Sequence, residues 1–577
     1  MIAPLPSPSQ DCLRLAHFDI GDAAFLPVPV LSKPPLSMLP VSRSVNMFAP
    51  AVLLFAALSA PALAGSPAQE QINREFQKTL TLGAGQSFRI ENKFGQIRVH
   101  GESGRDVKIA ATIHVQADSR DQAQSYADKI RIDVAQTSQG VQVHTNYPDE
   151  SRTWFGRKNT SYSVDYDVAL PSDTPLFVKN SFGSVNATGV RSPSEFDNSH
   201  GSLTVRDTGA ARLNNSFGSI ELTAAGGDTS VNDNNGAVQV SGVKGALEVR
   251  NRFGNITARD IQGPATITAG NGAVTLSDAA SANITTSFGS VDARNLRGDL
   301  IVHDNNGNVE IANVTGAADV TDSFGNVTFS DVKGRVNCTT SNGRVKGSSL
   351  TGSSVSIRDS FGNLELDNIS GSLNAETSNG KITVRSAHGI VELKSSFGAI
   401  EASDVSKGIR AITGNGAITL TDIGGDTFAK TSFGSVSVDR INGNLTVENS
   451  NGSVTARNVR GEAHVNTSFA GVTLEAIGGK ITVDNQNGGI SVTAARPASG
   501  CRDISLKTSF SSIRVRIPEG LGYNVTARTS FGRISTDLPL TASGNIGGDS
   551  LSGTIGSGGC QLQLINSNGS IEITKAP

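Results

Sequence analysis

Three short acidic segments carry the residue types best suited to holding a hard metal ion. Asp233 and Asp304 each open the tetrapeptide Asp-Asn-Asn-Gly, and Asp484 opens Asp-Asn-Gln-Asn-Gly. Calcium prefers clustered oxygen ligands of this kind. The carboxylates do not recur from copy to copy of the sequence, however, so a row of stacked ions would lack charge. The pattern favours plain left-handed turns over calcium sites, and we predict no metal and no cofactor.

Paired carboxylates are a second candidate chemistry, because hydrolysis of a glycosidic bond needs two of them at a defined separation. The outward-facing candidates are Glu401, Asp404, Asp439 and Glu448. Neighbouring copies mostly place Ser, Thr or Asn at the matching positions, so stacking would build no dense acidic patch. We predict no catalytic residues and no enzymatic activity, with a carbohydrate-active lyase or hydrolase as the alternative.

Histidines are too scattered to predict a zinc site. His200, His303 and His464 are predicted to face outward and lie far apart in the chain. The sequence contains no His-x-x-x-His and no Cys-x-x-Cys spacing, which are the usual signs of a dedicated zinc site.

The cysteines suggest one disulfide. Cys12 lies in the leader, and Cys338 occupies an inward strand position, where it is predicted to be a small buried hydrophobe. Cys501 and Cys560 lie in the irregular last segment. In an oxidising compartment a bridge between them would clamp the end of the fold.

Aromatic residues concentrate at one place, around the single tryptophan. Trp154 and Phe155 have Tyr147, Tyr162 and Tyr166 near them in the sequence. Trp154 and Tyr162 are weak candidates for a platform on which sugars stack. The alternative is that these side chains fill the hydrophobic interior of an N-terminal cap.

The charge balance bears on the class of partner. The formal net charge is -3, and charged residues make up 18% of the chain. A nucleic-acid partner would require a basic stripe with interleaved aromatics. We therefore predict no nucleic-acid partner, and surfaces rich in Ser, Thr and Asn that suit envelope or host glycans or surface proteins.

A short motif returns eighteen times between Asn180 and Asn487, almost always eighteen residues apart. A fixed period of this length indicates a repeat architecture whose units bury their apolar faces only by stacking. Phe-Gly and Asn-Gly copies alternate, with variants at His200-Gly201 and Phe469-Ala470-Gly471. The Phe-Gly copies are Phe182, Phe217, Phe253, Phe288, Phe324, Phe361, Phe397 and Phe433; the Asn-Gly copies are Asn235, Asn271, Asn306, Asn342, Asn379, Asn415, Asn451 and Asn487.

Within one copy the apolar residues alternate with polar ones. Val436 and Val438 are followed by Ile441, and Leu445 and Val447 come after Gly443. Strict alternation over four or five residues, bounded by Gly, Asn and Asp, predicts short strands and excludes helix. A parallel β-helix, in which each strand pairs with its equivalent in the next coil, satisfies this pattern directly.

The sequence leaves open whether a coil holds eighteen or thirty-six residues. In the first case each Phe lies over an Asn, which suggests volume matching in a narrow core. In the second, Phe stacks on Phe along one corner and Asn on Asn along another. Aromatic and Asn ladders are favourable stacked arrangements, so we expect thirty-six. The roughly 400 repeat residues would then span about 53 Å rather than about 105 Å, at about 4.8 Å per coil.

The front of the chain predicts export. Residues 38–64 are predicted to be a signal peptide, since the apolar run from Met47 ends in Ala62-Leu63-Ala64. Residues 1–37 are Pro-rich and predicted to be disordered or a mis-assigned leader, because initiation at Met38 or Met47 would give an ordinary signal. No later segment is long and apolar enough to span a membrane. The expected location is the periplasm, the cell surface or the medium.

Caps are expected at both ends of the stack, since open strand edges promote association. Residues 65–179 are predicted to form the N-terminal cap, with a helix from Asp118 to Lys129. Regular repeats are expected over 180–516. Residues 517–577 lose the period and are predicted to form irregular coils and a C-terminal cap.

The motifs together resemble a known family. The segment from Asn92 to Val99, and the pairs Leu170-Pro171 and Ile517-Pro518 that each lead into a Ser-Phe-Gly turn, are similar to the bacterial putative-adhesin β-strand-repeat family, a domain of unknown function. The resemblance covers most of residues 75–575. It implies an exported β-helix of the bacterial envelope and brings no catalytic residues. We predict an adhesin-like binding or structural scaffold, with a periplasmic envelope-stress accessory protein as a further alternative.

Overall fold

The computed structural model describes residues 70–148, 160–495, 500–543 and 547–576. The predicted leader and signal peptide, residues 1–64, lie outside these ranges, as does Trp154 with its neighbour Phe155. Within the described ranges, no helix has the length and apolar character needed to cross a membrane.

The described chain is built from 49 strands and one helix. The first group of elements is β1 (Glu70–Thr81), β2 (Ser87–Phe94), β3 (Ile97–Glu102), β4 (Asp106–Ala117), α1 (Arg120–Lys129), β5 (Arg131–Thr137), β6 (Gly140–Asn146) and β7 (Ser161–Pro171). The last group is β42 (Ile504–Phe510), β43 (Ile513–Ile517), β44 (Tyr523–Phe531), β45 (Ile534–Thr536), β46 (Leu540–Ala542), β47 (Ser550–Ile555), β48 (Cys560–Asn568) and β49 (Ile571–Lys575).

The strands between these groups form the repeats. They are β8 (Leu176–Phe182), β9 (Val185–Thr188), β10 (Ser194–His200), β11 (Leu203–Thr208), β12 (Ala211–Phe217), β13 (Ile220–Ala225), β14 (Thr229–Asn235), β15 (Val238–Val243), β16 (Leu247–Phe253), β17 (Ile256–Asn271), β18 (Val274–Phe288), β19 (Val291–Leu296), β20 (Leu300–His303), β21 (Val309–Val314), β22 (Ala318–Thr321), β23 (Val327–Val332), β24 (Val336–Thr339), β25 (Val345–Leu350), β26 (Ser354–Asp359), β27 (Leu364–Ile369), β28 (Ser372–Thr377), β29 (Ile382–Ala387), β30 (Val391–Ser395), β31 (Ile400–Val405), β32 (Ile409–Thr413), β33 (Ile418–Ile423), β34 (Thr427–Thr431), β35 (Val436–Ile441), β36 (Leu445–Asn449), β37 (Val454–Val459), β38 (Ala463–Thr467), β39 (Val472–Ile477), β40 (Ile481–Asn485) and β41 (Ile490–Thr493).

Two parallel ladders run the length of the repeats. The first ladder contains the strands that precede the Phe/Asn motif, such as β34, β36 and β38. The second contains the strands that follow it, such as β35, β37 and β39. Alternate side chains of both ladders, such as Leu445 and Val454, are buried in one continuous apolar core. The predicted fold class is confirmed: the described chain is a parallel β-solenoid with repeats of about 18 residues.

One coil holds eighteen residues, so the expectation of thirty-six is wrong. Thr427 pairs with Leu445, and Leu445 pairs with Ala463, so equivalent residues eighteen apart are partners in adjacent coils. The alternation of Phe and Asn repeats every thirty-six residues, whereas the backbone repeats every eighteen. The longer of the two predicted lengths, about 105 Å at about 4.8 Å per coil, therefore applies to the solenoid.

At the N-terminal end an antiparallel sheet of β1, β4 and β7 covers the first coils. Helix α1 packs on β1 and β4, and Ser119 caps it by accepting a hydrogen bond of 3.3 Å from the Gln122 backbone N–H. The predicted helix is confirmed, and it begins two residues later than expected. The ladders themselves begin before residue 180, because β2 lies between β6 and β8.

At the C-terminal end the order of coils in space differs from their order in the chain. Strand β48 lies between β42 and β44, and β49 lies between β43 and β45. The last coil of the sequence is thus inserted beneath the preceding one. Strand β47 then pairs antiparallel with both β44 and β46, which closes the first ladder.

Candidate functional site

The connection from the first ladder to the second is the Phe/Asn motif, and a buried side chain holds it in place. In the coil that contains Phe253, the side chain of Asn251 is buried. Its Nδ2 donates to the carbonyl oxygen of Gly254 at 3.1 Å and to that of Gly236, in the preceding coil, at 2.9 Å. One amide therefore joins its own turn to the turn below it.

Glycine in this turn is required by how closely successive turns approach. Gly254 has a φ of 130°, and a Cβ placed on it would lie 2.0 Å from the carbonyl oxygen of Gly236. Its N–H donates to the carbonyl oxygen of Asn271 at 2.8 Å. Backbone pairing thus continues through the turns, which fixes their spacing at about 4.8 Å per coil.

The phenylalanines of the motif lie on the surface, with exposed fractions from 42% to 77%. They occupy the tips of turns and not inward strand positions, so the alternative that they match volumes inside a narrow core is wrong. We call this file, with the asparagines between its members, the aromatic edge. Its exposed phenylalanines are Phe182, Phe217, Phe253, Phe288, Phe324, Phe361, Phe397, Phe433, Phe469, Phe510 and Phe531.

Phe and Asn alternate along the edge in space. Phe217 pairs with Asn235 and Asn235 with Phe253, while Phe324 bridges Asn306 and Asn342. The other predicted ladder residues, Asn271, Asn379, Asn415, Asn451 and Asn487, lie in the same file.

The inserted coil preserves this order. Phe510 and Phe531 follow one another in the chain, but Asn568 pairs with both and lies between them.

The N-terminal end of the edge is a continuous stack of rings. Phe94 stacks on Phe182 with centroids 5.4 Å apart, Phe182 on His200 at 4.6 Å, and His200 on Phe217 at 4.8 Å. Rings on adjacent coils are therefore compatible with the fold.

An aromatic cluster lies at the foot of this stack. Tyr162, a predicted binding candidate, lies 5.5 Å from both Phe94 and Tyr147. The Tyr147 hydroxyl donates to Asn92 Oδ1 at 2.7 Å, and burial raises its pKa above the ordinary value. Trp154 lies outside the described residues. Tyr162 contacts both Phe94, at the foot of the edge, and Tyr126, on the helix of the N-terminal end.

Four coils carry a buried carboxyl where others place Asn, Thr or Ser beneath the turn. They are Asp233, Asp304, Asp322 and Asp359. Burial raises the pKa of Asp233 to about 6, and burial together with the neighbouring Asp304 raises the pKa of Asp322 to about 6. Removal of the carboxyl from water is the physical reason that the neutral form is favoured, and a carboxylate, unlike the Asn251 amide, cannot donate to the glycine carbonyls.

The three acidic segments fall into two environments. Asp233 and Asp304 are buried beneath turns of the aromatic edge, whereas Asp484 faces outward and accepts from Lys507 Nζ at 3.4 Å. Over residues 70–148, 160–495, 500–543 and 547–576, no three His, Cys, Asp or Glu side chains gather as metal ligands. The structure does not bring the three segments together.

The four carboxylates considered for glycoside chemistry are likewise not brought together. Glu401 lies on the second ladder and pairs with Lys381 at 2.7 Å, while Glu448 lies on the first ladder and pairs with Lys430 at 2.7 Å. Asp404 accepts from Ser386 Oγ at 2.8 Å, at the connection that returns to the first ladder.

That return connection carries a feature that residue patterns missed, a groove of about 770 Å³ lined by Asp422 and Arg440. Asp439, the remaining carboxylate candidate, contacts the same guanidinium. Residues at this corner have positive φ, 57° at both Asp422 and Arg440. The Arg440 guanidinium donates to both Asp422 oxygens, at 2.5 and 2.8 Å, and lowers the pKa of that carboxyl. A general acid requires a raised pKa, so this pair suits structure and not proton donation.

The cysteines lie as follows. Cys501 and Cys560 form a disulfide that ties the start of the inserted coil to the segment before β42. Cys338 is buried in the first ladder, and burial raises the pKa of its thiol. Of the histidines, His200 is part of the aromatic edge, while His303 and His464 are exposed on the first ladder.

Residues 405–574 match the family model described as Toastrack DUF4097. We call these residues the Toastrack region, after the family model that they match. The resemblance to a β-strand-repeat family of unknown function is thereby confirmed. The Toastrack region includes the inserted coil, the disulfide and the last third of the aromatic edge.

Comparisons with other proteins add little beyond this match. No curated protein matches the chain. A solved structure described as a "putative cell adhesion protein" from Clostridium sporogenes ATCC 15579 is 10% identical, with a TM-score of 0.17, and the match covers 38% of this chain and 99% of that one. A "putative adhesin" from Parabacteroides distasonis ATCC 8503 is 13% identical, with a TM-score of 0.16, and the match covers 48% of this chain and 94% of that one.

Proposed function

We propose that this protein is an exported, adhesin-like scaffold of the bacterial envelope that binds through many weak contacts along its aromatic edge and has no catalytic activity. The observation that carries the proposal is the file of eleven exposed phenylalanines on one edge of the solenoid. Large apolar side chains gathered along one exposed edge mark an interaction site.

The arrangement of the edge supports multivalent binding. Each exposed ring repeats the environment of the others, so one contact chemistry is offered at regular intervals over many coils. Contacts that are individually weak gain by effective concentration when several can be made at once. Affinity should then depend on the number of coils, which distinguishes this scaffold from a protein with a single site.

Export is supported by two features. Residues 47–64 have the composition of a signal peptide, and the disulfide between Cys501 and Cys560 suits an oxidising compartment. We infer that the scaffold works in the periplasm or at the cell surface. Antiparallel strands within residues 65–179 and 517–577 serve as its caps, since they cover the ladders at both ends.

The carboxylates support a non-catalytic role. Glu401 and Glu448 are ion-paired on different ladders, and Asp422 is held ionised by Arg440. A glycosidase needs one carboxyl with a raised pKa facing a second across the substrate. The four buried Asp with raised pKa lie beneath the turns, where a polysaccharide has no access.

The experiment is a series of coil deletions. Removing residues 380–415 joins Asn379 to Gly416 and removes two complete coils; removing 380–451 joins Asn379 to Gly452 and removes four. Binding of the labelled full chain and both deletions to isolated envelopes of the source bacterium should weaken stepwise, by a similar factor for each pair of coils.

Matched substitutions separate the contribution of the exposed rings to binding from the contribution of solenoid length. Phe397→Asn, and Phe397→Asn with Phe433→Asn, change the same coils without shortening the solenoid, and they should weaken binding about as much as the deletions do. Binding that survives these substitutions would refute the edge as the contact surface. An all-or-none loss at the first deletion would indicate a single site instead. Protease shaving of intact cells, with a lysed control, would test export separately.

A further inference from the structure

The aromatic edge has regular gaps. Between successive phenylalanines lies one coil that carries Asn, as Asn342 does between Phe324 and Phe361. Two coils span about 9.6 Å at about 4.8 Å each. Since Asn is much shorter than Phe, each gap is an open slot between two rings with an amide at its floor.

One ring fills such a slot in this same chain. Where His200 takes the place of Asn, it lies 4.6 Å from the Phe182 ring and 4.8 Å from the Phe217 ring, nearly parallel to both. Those two phenylalanines are 44% and 49% exposed, whereas Phe361, Phe397 and Phe433, with Asn on both sides, are 60–65% exposed. The coil spacing is thus also a ring-stacking distance, and most rings lack a neighbour.

Packing within the chain does not require the gaps. Adjacent rings are tolerated from Phe94 to Phe217. The inserted coil nevertheless places Asn568 between Phe510 and Phe531, which would otherwise be neighbours. Alternation in space is therefore maintained even where the order of the chain would break it.

We propose that the partner at the aromatic edge is a second copy of this chain, which lies edge to edge with the first and is displaced by one coil. Each phenylalanine of one copy then enters the slot above an Asn of the other, and the rings of both form one continuous stack. An antiparallel pair gives the same patch on both copies and closes with two-fold symmetry. This inference rests on the edge being the contact surface and names what contacts it.

Charge and area both fit a second copy. From Phe288 to Asn487 the only charged residues flanking the turns are Arg344 and Lys381, which pair with Glu365 at 3.6 Å and Glu401 at 2.7 Å. Two such edges can meet without repulsion between like charges.

The exposed rings also supply enough surface. Six phenylalanines in that stretch, each presenting roughly 100 Å², together with the Asn and Ser beside them approach the roughly 800 Å² per partner of a stable interface.

The test is sedimentation equilibrium of the purified full chain without its signal peptide, from about 1 to 100 µM. The wild type should form a dimer. The variant Phe324→Asn/Phe361→Asn/Phe397→Asn/Phe433→Asn uses the residue that alternate coils already carry, so it should fold, and its dimer dissociation constant should rise at least 100-fold. The control Asn342→Ser/Asn379→Ser/Asn415→Ser should stay within about threefold of the wild type.

A second variant separates interdigitation from general stickiness. Asn342→Phe/Asn379→Phe/Asn415→Phe fills three slots and adds apolar surface. Interdigitation predicts a weaker dimer, because the partner's rings no longer fit; simple hydrophobic adhesion predicts a tighter one, which would overturn the proposal. A monomeric wild type at 100 µM would also overturn it. If that monomer still lost envelope binding on Phe→Asn substitution, the edge would retain its proposed function with a different partner, such as a glycan.

Discussion

Asp322 occupies a buried place beneath its turn, one coil from Asp304 and equivalent to the place of Asn251. Burial and the neighbouring carboxyl raise its pKa from the ordinary 3.8 to about 6. A group whose pKa is raised on folding binds protons more tightly in the folded state. The stabilisation is complete below about pH 4 and is lost as the pH rises to about 6, above which the buried carboxylate destabilises the coil.

Replacing this carboxyl tests that account. Asp322→Asn supplies an amide that can donate to the glycine carbonyls, as Asn251 does. At pH 8 the variant should be more stable by about 1–2 kcal/mol, and the loss of stability between pH 4 and 6 should shrink. Amide hydrogen exchange in residues 322–327 at pH 4, 6 and 8 would measure the stability of this coil in both proteins. Asp484→Asn, on the exposed face, is the control and should leave the pH dependence unchanged.

A turn glycine tests how tightly coils stack. Gly254→Ala combines a positive φ with a Cβ only 2.0 Å from the carbonyl oxygen of Gly236. Gly104→Ala shares the positive φ, 122°, but meets no atom within 4 Å. Each should lose about 1 kcal/mol from backbone conformation, and only Gly254→Ala should lose several more. Equal effects of the two substitutions on thermal unfolding would contradict the close approach of the turns.

Elements at the C-terminal end depend on the disulfide. Cys501 and Cys560 are 59 residues apart in the chain and hold the inserted coil at its entry. Cys501→Ser/Cys560→Ser should lower the stability of β44 to β49 by about 2–4 kcal/mol, with the repeats before β42 little affected. Limited proteolysis should then cleave within residues 523–575 first. Reductant should reproduce the effect in the wild type and add nothing in the variant.

The elements that sequence alone predicted well are those with local signals. Val436 and Val438 alternate with polar residues and are buried as expected, and Ser119 caps the predicted helix. The coil size was wrong because the letters repeat over thirty-six residues while the backbone repeats over eighteen. The exposure of Phe253 was not predicted, although its place between Arg252 and Gly254 at a turn was the available signal for it.

The spatial order of the last coils could not be predicted from the sequence. The residues around Ile504 and Cys560 carry no local signal that β48 lies between β42 and β44. Parallel strand pairing depends on contacts between residues that are far apart in the chain. One indirect signal exists: Phe510 and Phe531 break the alternation in the chain, and only insertion of Asn568 restores it. The groove at Arg440 was missed because a positive φ at a charged residue leaves no pattern in composition.

Along the whole solenoid, every eighteen residues add one coil and one member of the exposed aromatic edge. Spin labels on Asn306→Cys and Asn451→Cys, in a Cys338→Val background, lie on that edge eight coils apart. Double electron–electron resonance, with excess unlabelled protein to dilute pairs of copies, should give about 38 Å at about 4.8 Å per coil. A distance near 19 Å would mean thirty-six residues per coil, and would contradict both the solenoid and the slots of its aromatic edge.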